Sequence, residues 1–252
     1  MKKQMFKCGS AVLLSLFMVA CGGGGGDGGD TISPVLPQGL WDAATPAGSV
    51  YILPAAANSG AVGEVWAIGR TSPNALLQGF LRVSGASFEA NAARYMTSDS
   101  AEAADVRIAL VTTGGDLALT VTGSTLEGTQ TISGLTRSAT YDRSATLADW
   151  EGCWQIVGDP VESKLCVSDI GVISGSRGSC EFSGAVSLRA EAKAVVNVEL
   201  QESVCPDASS FSGIGVFGRE NDQVVEDARV LALKNPSSTL RSLVRLQRSP
   251  QI

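Results

Sequence analysis

Residues 106–122 read VRIALVTTGGDLALTVT and carry the clearest fold signal in the chain. Leu117, Leu119 and Val121 alternate with polar or small side chains, which is the period of a β-strand with one buried face. Two glycines, at positions 114 and 115, separate this run from a second apolar run, as in a β-hairpin turn. The stretch therefore predicts two antiparallel strands joined by a tight turn.

The same pattern extends along most of the chain. Short runs rich in Val, Leu and Thr are separated by Gly, Asp, Asn and Ser, without the intervening helical patterns that indicate a parallel sheet. Residues 87–104 are ambiguous, because their alanines fit either a helix or a strand followed by a loop. We expect an all-β fold of two small antiparallel domains, barrel- or sandwich-like, with strands at 49–53, 64–68, 76–83, 106–112, 116–122, 128–132, 164–167, 172–174, 185–189, 195–201, 213–218, 228–233 and 242–247.

Two similar openings indicate an internal duplication. Gly39-Leu40-Trp41 begins one series of predicted strands, and Trp150-Glu151-Gly152-Cys153-Trp154 begins another. The 252 residues are enough for two domains of ordinary size. We place the first domain at 39–147 and the second at 148–249.

The first 38 residues predict export and membrane anchoring. Three lysines within the first seven residues precede a short apolar run, residues 11–19, that is far below the roughly 20 residues a transmembrane helix needs. Residues 1–20 therefore read as a signal peptide. The tetrapeptide Met18-Val19-Ala20-Cys21 resembles the bacterial lipobox, and this resemblance implies a lipid on Cys21 and cleavage before it. Residues 21–38 then form a Gly-rich tether.

The residue after Cys21 bears on localisation. Asp at this position resembles the inner-membrane retention signal of Gram-negative lipoproteins, whereas this chain has Gly22. The resemblance implies an outer-membrane lipoprotein that contacts the membrane through its lipid anchor. Both the periplasmic face and the cell surface remain open.

Further motifs resemble a family of Gram-negative two-repeat β lipoproteins with a poly-Gly tether. They are Gly39-Leu40-Trp41, the segment from Phe88 to Asn91-Ala92-Ala93-Arg94, and Ile173-Ser174-Gly175 followed by Cys180-Glu181-Phe182-Ser183-Gly184. Ala93 is one residue more than the pattern contains. The resemblance covers most of the chain after the tether, and it implies the architecture without implying an activity.

Four cysteines lie in the second half: Cys153, Cys166, Cys180 and Cys205. An even number in an oxidising compartment predicts two disulfides, for which three pairings are possible. We favour Cys153–Cys166, which closes a tight excursion, and Cys180–Cys205, which joins two strand ends and is also implied by the family resemblance. The chain has no histidine and no C-x-x-C motif, so we expect no metal site.

Composition narrows the possible functions. The formal net charge is −6, and without Lys2, Lys3 and Lys7 it is −9, which argues against nucleic acid as a partner. The absence of histidine removes the commonest general base, and the spacing of the carboxylates singles out no catalytic pair. We therefore expect a protein that is not an enzyme and has no cofactor.

Two binding hypotheses follow. The first is a non-enzymatic binding or structural module for an unknown envelope or extracellular protein. The alternative is a lipocalin-like carrier that encloses a small apolar ligand. Trp66, between Val65 and Ala67 in an apolar strand, is our candidate for lining a ligand cavity.

Residues 213–218 match the dinucleotide-binding pattern G-x-G-x-x-G. A turn-like Arg-Glu-Asn-Asp segment follows them, whereas a dinucleotide site requires a helix there. We interpret these glycines as positions where a curved strand bends or passes close to a neighbour.

Overall fold

Seventeen β-strands form the framework of the part of the chain that the structure describes. This computed structural model describes residues 34–44, 48–57, 59–69, 75–96, 100–113, 115–123, 129–159, 162–191, 193–205, 208–220, 223–238 and 240–249. Two short 3₁₀ helices, Ala139–Asp142 and Leu147–Asp149, lie between the ninth and tenth strands. The all-β prediction is confirmed. The predicted signal peptide, Cys21 and the tether up to residue 33 lie outside the described residues.

The first half of the chain forms a closed antiparallel barrel of eight strands. The last strand pairs back with the first, so that Trp41 lies opposite Arg137. The hairpin predicted from residues 106–122 is confirmed, because Thr113 lies opposite Asp116. The strands are β1 (Gly39–Ala43), β2 (Gly48–Pro54), β3 (Gly63–Gly69), β4 (Leu76–Ser84), β5 (Ser87–Met96), β7 (Ala104–Thr113), β8 (Asp116–Thr122) and β9 (Thr129–Arg137).

The second half forms another antiparallel barrel, in which the last strand again pairs with the first. A short strand from the first half, β6 (Ser100–Glu102), pairs with β17 of this second barrel. The two halves therefore share main-chain hydrogen bonding. The strands are β10 (Gly152–Ile156), β11 (Lys164–Val167), β12 (Val172–Arg177), β13 (Cys180–Leu188), β14 (Val195–Ser203), β15 (Ser210–Glu220), β16 (Gln223–Lys234) and β17 (Leu240–Arg248).

The two similar sequence openings contain the first strands of the two barrels, β1 and β10. The alternation pattern did not predict either strand. Gly39 and Gly152 both have positive φ angles, and a buried tryptophan follows two residues later in each case. The indole N–H of each tryptophan donates to the backbone carbonyl oxygen four residues upstream. The distance is 3.0 Å from Trp41 to Pro37 and 2.9 Å from Trp154 to Trp150. This shared detail supports the duplication. The expected boundary at 147/148 falls within the segment between β9 and β10.

The ambiguous stretch at 87–104 begins with a strand, and the helix alternative is wrong. β5 contains a bulge: Ala90 lies opposite Ile108 and Ala93 opposite Val106, so β5 has one residue more than β7 over this interval. Ala90 and Ala93 are both buried in the barrel core, and the residues between them are exposed. The bulge increases the strand curvature that a small barrel needs.

The glycines of the G-x-G-x-x-G pattern lie within β15, as interpreted from the sequence. A Cβ atom on Gly213 would collide with the carbonyl oxygen of Ala232, and one on Gly215 would lie 2.6 Å from the Trp150 ring. The register of β15 shifts between Phe217 and Gly218. These glycines permit close packing and a bend in the strand.

Apolar side chains form one cluster inside each barrel and a third cluster between the barrels. Trp41 and Phe88 belong to the first cluster, and Trp150 and Trp154 to the second. The third consists of outward-facing residues from both halves, because successive residues of a strand point to opposite faces. We call it the interface cluster: Leu40, Tyr51, Leu53, Trp66, Ile68, Leu76, Met96, Ala103, Tyr141, Val195, Ile214, Val216, Val230, Ala232 and Leu243.

Three arginines of the second barrel bind acceptors on the first. Arg219 forms a bidentate pair with Asp42 at 2.7 and 2.9 Å, and the Arg219 side chain is only 3% exposed. Arg245 donates to the carbonyl oxygen of Gly69 at 2.9 Å. The third, Arg189, lies in the cleft described below. Fixed guanidinium groups of this kind add directional contacts to the apolar interface cluster.

Candidate functional site

A cleft of about 510 Å³ lies between the two barrels. Ligand sites in proteins usually measure about 300–1,000 Å³, so the cleft is large enough for a small molecule or a few residues of a peptide. Small residues of the loop after β2 and of β13 and β15 form much of its wall. Its larger polar, charged and aromatic side chains are Glu64, Trp66 and Phe80 from the first barrel and Arg189, Glu191, Asn197, Glu199 and Lys234 from the second.

Strand alternation places the side chains of the first barrel in the cleft. Val65 points into the barrel core, so its neighbours Glu64 and Trp66 point outward toward the second barrel. On the adjacent strand β4, Phe80 lies opposite Glu64 and Gln78 lies opposite Trp66. Glu64, Trp66 and Phe80 therefore line the cleft, and Gln78 is buried beside Trp66.

Arg189 is the central charged group of the cleft. Its guanidinium donates to Glu191 at 2.7 Å, to Glu64 and Asn197 at 2.9 Å, and to the carbonyl oxygen of Pro54 at 2.9 Å. The three ionic side chains are 10–15% exposed. Burial by itself would lower the pKa of Arg189, but the hydrogen bond that Arg189 donates to Glu191 and the charges of Glu64 and Glu191 raise that pKa above its ordinary value. One guanidinium thus faces two carboxylates.

Lys234 and Phe80 meet across the cleft. The Lys234 ammonium lies 4.4 Å from the centroid of the Phe80 ring, in cation–π contact. Phe80 is 41% exposed, which is unusual for a phenylalanine. Because Lys234 belongs to β16 and Phe80 to β4, this contact joins the second barrel to the first at one side of the cleft.

Two buried donors near the cleft lack a protein acceptor. Trp66 is 1% exposed and Gln78 is 3% exposed, and neither the indole nitrogen of Trp66 nor the amide nitrogen of Gln78 has a hydrogen-bond partner. Buried polar groups in folded proteins are nearly always hydrogen-bonded. Trp66 lines the cleft, but its indole nitrogen is buried against the protein.

Both disulfide predictions are confirmed, with Cys153 bonded to Cys166 and Cys180 bonded to Cys205. The first pair lies directly across β10 and β11. The second joins the start of β13 to the segment after β14. Cys21, the predicted lipidation site, lies outside the described residues.

Trp66, singled out from the sequence, lies in the cleft wall, but the other side chains of the cleft were not anticipated. Arg189 and Glu64 are 125 residues apart and meet only because the two barrels pack together. One signal was available: Glu64 is a charged residue at the start of an otherwise apolar strand. Such a charge needs a partner, although the sequence does not show which one.

The described residues inside both barrels are packed against one another. The inward side chains form continuous apolar clusters in both barrels. A cavity of about 20 Å³ in the second barrel, lined by residues such as Leu200 and Leu231, has space for about one water molecule. An apolar carrier of the lipocalin type needs an enclosed space many times larger, so the cleft is the better candidate site.

Comparison of the chain with protein-family models, with curated proteins and with solved structures finds no match. Across the described residues, no helix is long and apolar enough to span a membrane. The same residues contain no group of three or more Cys, Asp or Glu side chains arranged to hold a metal ion.

Proposed function

We propose that this chain is a lipid-anchored, non-enzymatic binding module of the outer membrane that binds an envelope or extracellular ligand or partner in the cleft between its barrels. The cleft carries the proposal. Its volume suits a ligand, both barrels contribute to it, and its charged groups are held in place by hydrogen bonds.

The arrangement of the cleft carboxylates favours binding over catalysis. A hydrolase that uses two carboxylates needs one to act as an acid and the other as a base or nucleophile. In the cleft, Glu64 and Glu191 both accept hydrogen bonds from Arg189. This geometry engages both carboxylates with one guanidinium instead of separating them into an acid and a base, which suits recognition of a polar ligand.

The first prediction concerns the membrane anchor. Cells expressing the wild-type chain should incorporate a clickable palmitate analogue into the protein, and the Cys21→Ser variant should not, because the thiol is the proposed acceptor of the lipid. The wild-type protein should also fractionate with the outer membrane on a sucrose gradient, whereas Gly22→Asp should shift it to the inner membrane. Equal labelling of wild type and Cys21→Ser would refute lipidation at this site.

The second prediction concerns the cleft. Ser212 lines it on β15, and Ser212→Trp should fill much of its volume. Thr131, exposed on the outer face of β9 on the far side of the first barrel, provides a matched control as Thr131→Trp. Ligands or partners that the mature wild-type protein enriches from envelope extract should be lost with Ser212→Trp and kept with Thr131→Trp. Retention by both variants at equal melting temperature would place the binding site elsewhere.

A further inference from the structure

We propose that the cleft is one end of a longer groove that binds an extended, uncharged oligosaccharide, a strand of β-1,4-linked pyranose sugars. This inference rests on the proposed binding role of the cleft and specifies its ligand class. It is carried by three hollows that lie in a row, by the balance of charge along them and by an exposed aromatic ring where two of them meet.

The three hollows share lining residues. Phe80 lines both the cleft and a second hollow of about 410 Å³ on the outer face of β4 and β5. Asn91 lines this second hollow and a third one of about 340 Å³, which continues over β7 to Thr122 of β8. Because β4, β5, β7 and β8 are neighbours in the barrel, this part of the groove spans about 14 Å, at about 4.8 Å between adjacent strands. The groove therefore suits a chain of several units.

The bulge in β5 lies in the middle of the groove. The register between β4 and β5 shifts between Gln78 and Arg82, and Asn91 and Ala92 are exposed at this point. All four strands pair with a neighbour on both sides. A peptide that binds as an added strand needs a strand at the edge of a sheet, and none of these four described strands is at an edge. The groove is therefore better suited to a ligand that binds through polar side chains.

The charges along the groove nearly cancel, with five carboxylates and four cations. Arg82 and Glu89 line the second hollow, and Asp105 and Arg107 line the third. The cleft contains Arg189 and Lys234 together with Glu64, Glu191 and Glu199. Carboxylates accept hydrogen bonds, guanidinium groups donate them and amides do both, so this set can bind hydroxyl groups, which also do both. The balance favours an uncharged, hydroxyl-rich chain over a nucleic acid, which requires an excess of cations.

Phe80 offers a surface on which a sugar ring can stack. In β-1,4-linked glucose and N-acetylglucosamine the ring substituents are equatorial, so each ring face is an apolar surface of C–H groups. The Lys234 ammonium lies 4.4 Å from the centroid of the Phe80 ring, yet Phe80 remains 41% exposed. The small side chains of Ala92 in the second hollow and of alanines 55–57 in the cleft leave room for flat rings on either side.

Four probes test the ligand class, with affinity measured by isothermal titration calorimetry on the mature protein. Chitohexaose and cellohexaose are uncharged β-1,4-linked chains with and without acetamido groups. At least one of them should bind, and at least about tenfold more tightly than its own disaccharide, chitobiose or cellobiose, because only the hexamer reaches all three hollows. Maltohexaose, whose α-1,4 linkages curve the chain, should bind more weakly than that hexamer.

A preference between the two β-1,4-linked hexamers would identify the sugar as N-acetylated or not. The proposal is overturned if neither of them binds, if the disaccharide binds as tightly as the hexamer, or if maltohexaose binds equally well.

Two pairs of variants test the groove. Phe80→Ala should weaken the hexamer about tenfold, since the stacking surface is lost, and Phe80→Trp should keep the affinity. Val111→Ala, which truncates another 41% exposed apolar side chain on β7, should have no effect. Asn91→Trp should obstruct the passage between the second and third hollows and weaken the hexamer, whereas Thr131→Trp should not. Wild-type affinity of Phe80→Ala and Asn91→Trp would refute the groove.

The ligand class and the role of the cleft are tested separately. If neither hexamer binds but Ser212→Trp still abolishes capture of the envelope ligand, only the ligand class is wrong. A hexamer that binds Ser212→Trp as tightly as the wild-type protein would refute the cleft as part of its site.

Discussion

Arg229 is a charged residue in the second barrel, 2% exposed. Its guanidinium lies between the rings of Phe217, at 4.4 Å, and Trp154, at 4.7 Å. Arg143 also lies 4.4 Å from the centroid of the Phe217 ring, and Arg248 lies 4.5 Å from that of Trp154. This stack therefore contains three guanidinium groups and two aromatic rings. Burial lowers the pKa of Arg229 to about 10, so the side chain remains protonated at neutral pH.

Backbone carbonyls rather than carboxylates satisfy this buried charge. Arg229 donates to the carbonyl oxygens of Glu226 and Ala228, at 2.7 and 2.8 Å, and to that of Asp149. The last of these groups belongs to the segment between the barrels. The arginine therefore fastens that segment to the end of the second barrel, where Trp150 closes the core.

We expect Arg229→Met to lower the free energy of unfolding by about 2–4 kcal/mol, since it leaves buried carbonyls unpaired and removes the cation–π contacts. Arg229→Lys should recover little of this loss, because an ammonium has no planar face to stack between two rings. Urea unfolding followed by tryptophan fluorescence measures both. Arg107→Met, at an exposed position of β7, should change the free energy by less than about 0.5 kcal/mol. An Arg229→Met variant as stable as Arg107→Met would mean that the stack contributes nothing.

At the scale of elements, the disulfides and the short strand β6 supplement the barrel hydrogen bonds. Cys153–Cys166 links adjacent strands 13 residues apart in sequence, and Cys180–Cys205 links residues 25 apart. Both lie in the second half, so the first barrel closes without a crosslink. A disulfide acts mainly by restricting the unfolded chain, and the effect grows slowly with the length of the closed loop.

Removal of either disulfide should therefore lower the free energy of unfolding by about 2–4 kcal/mol. The two double variants that test this are Cys153→Ser/Cys166→Ser and Cys180→Ser/Cys205→Ser. The second should lose about 0.5 kcal/mol more than the first, because it opens the longer loop. Urea unfolding of the two variants measures the difference. Peptide mapping without reductant should recover both linked pairs from protein made in the periplasm; four freely alkylated thiols there would contradict the pairing.

At the scale of the whole molecule, each barrel has its own core, but the two also share the interface cluster, the pairing of β6 with β17 and the arginine contacts. Separating the halves would expose large apolar side chains such as Tyr51 and Trp66 on the first barrel and Ile214 and Leu243 on the second. Hydrophobic burial is the main stabilising contribution in small domains, so this exposure should be costly.

We expect a fragment of residues 34–147 to keep β-type circular dichroism but to melt well below the intact protein and to bind a hydrophobic dye. Mixing it with a fragment of residues 148–252 should raise the melting temperature and reduce dye binding. Reductant should leave the melting of the first fragment unchanged, because that fragment has no cysteine. Fragments that melt at the temperature of the intact chain would show that the interface adds no stability.

The sequence by itself determined the fold class, the hairpin at 106–122 and the strand role of Gly213 and its neighbours, because each follows from local periodicity or local turn chemistry. It reduced the disulfides to three possible pairings and favoured the one that the structure contains. It did not decide between barrel and sandwich, since strand alternation is the same in both and only the pairing of the last strand with the first distinguishes them. It also left the opening strands β1 and β10 unrecognised, although the shorter β11 was predicted.

The cleft was decided by tertiary structure alone. Strand alternation indicates that Glu64 and Trp66 point away from the core of their own barrel, but an outward residue faces either solvent or a neighbour, and local sequence does not distinguish the two. The packing of the second barrel brings Arg189 to Glu64 and Lys234 to Phe80 across more than a hundred residues of chain. Contacts of that separation depend on how two complete barrels fit together, which is why the candidate site appears only in the folded molecule.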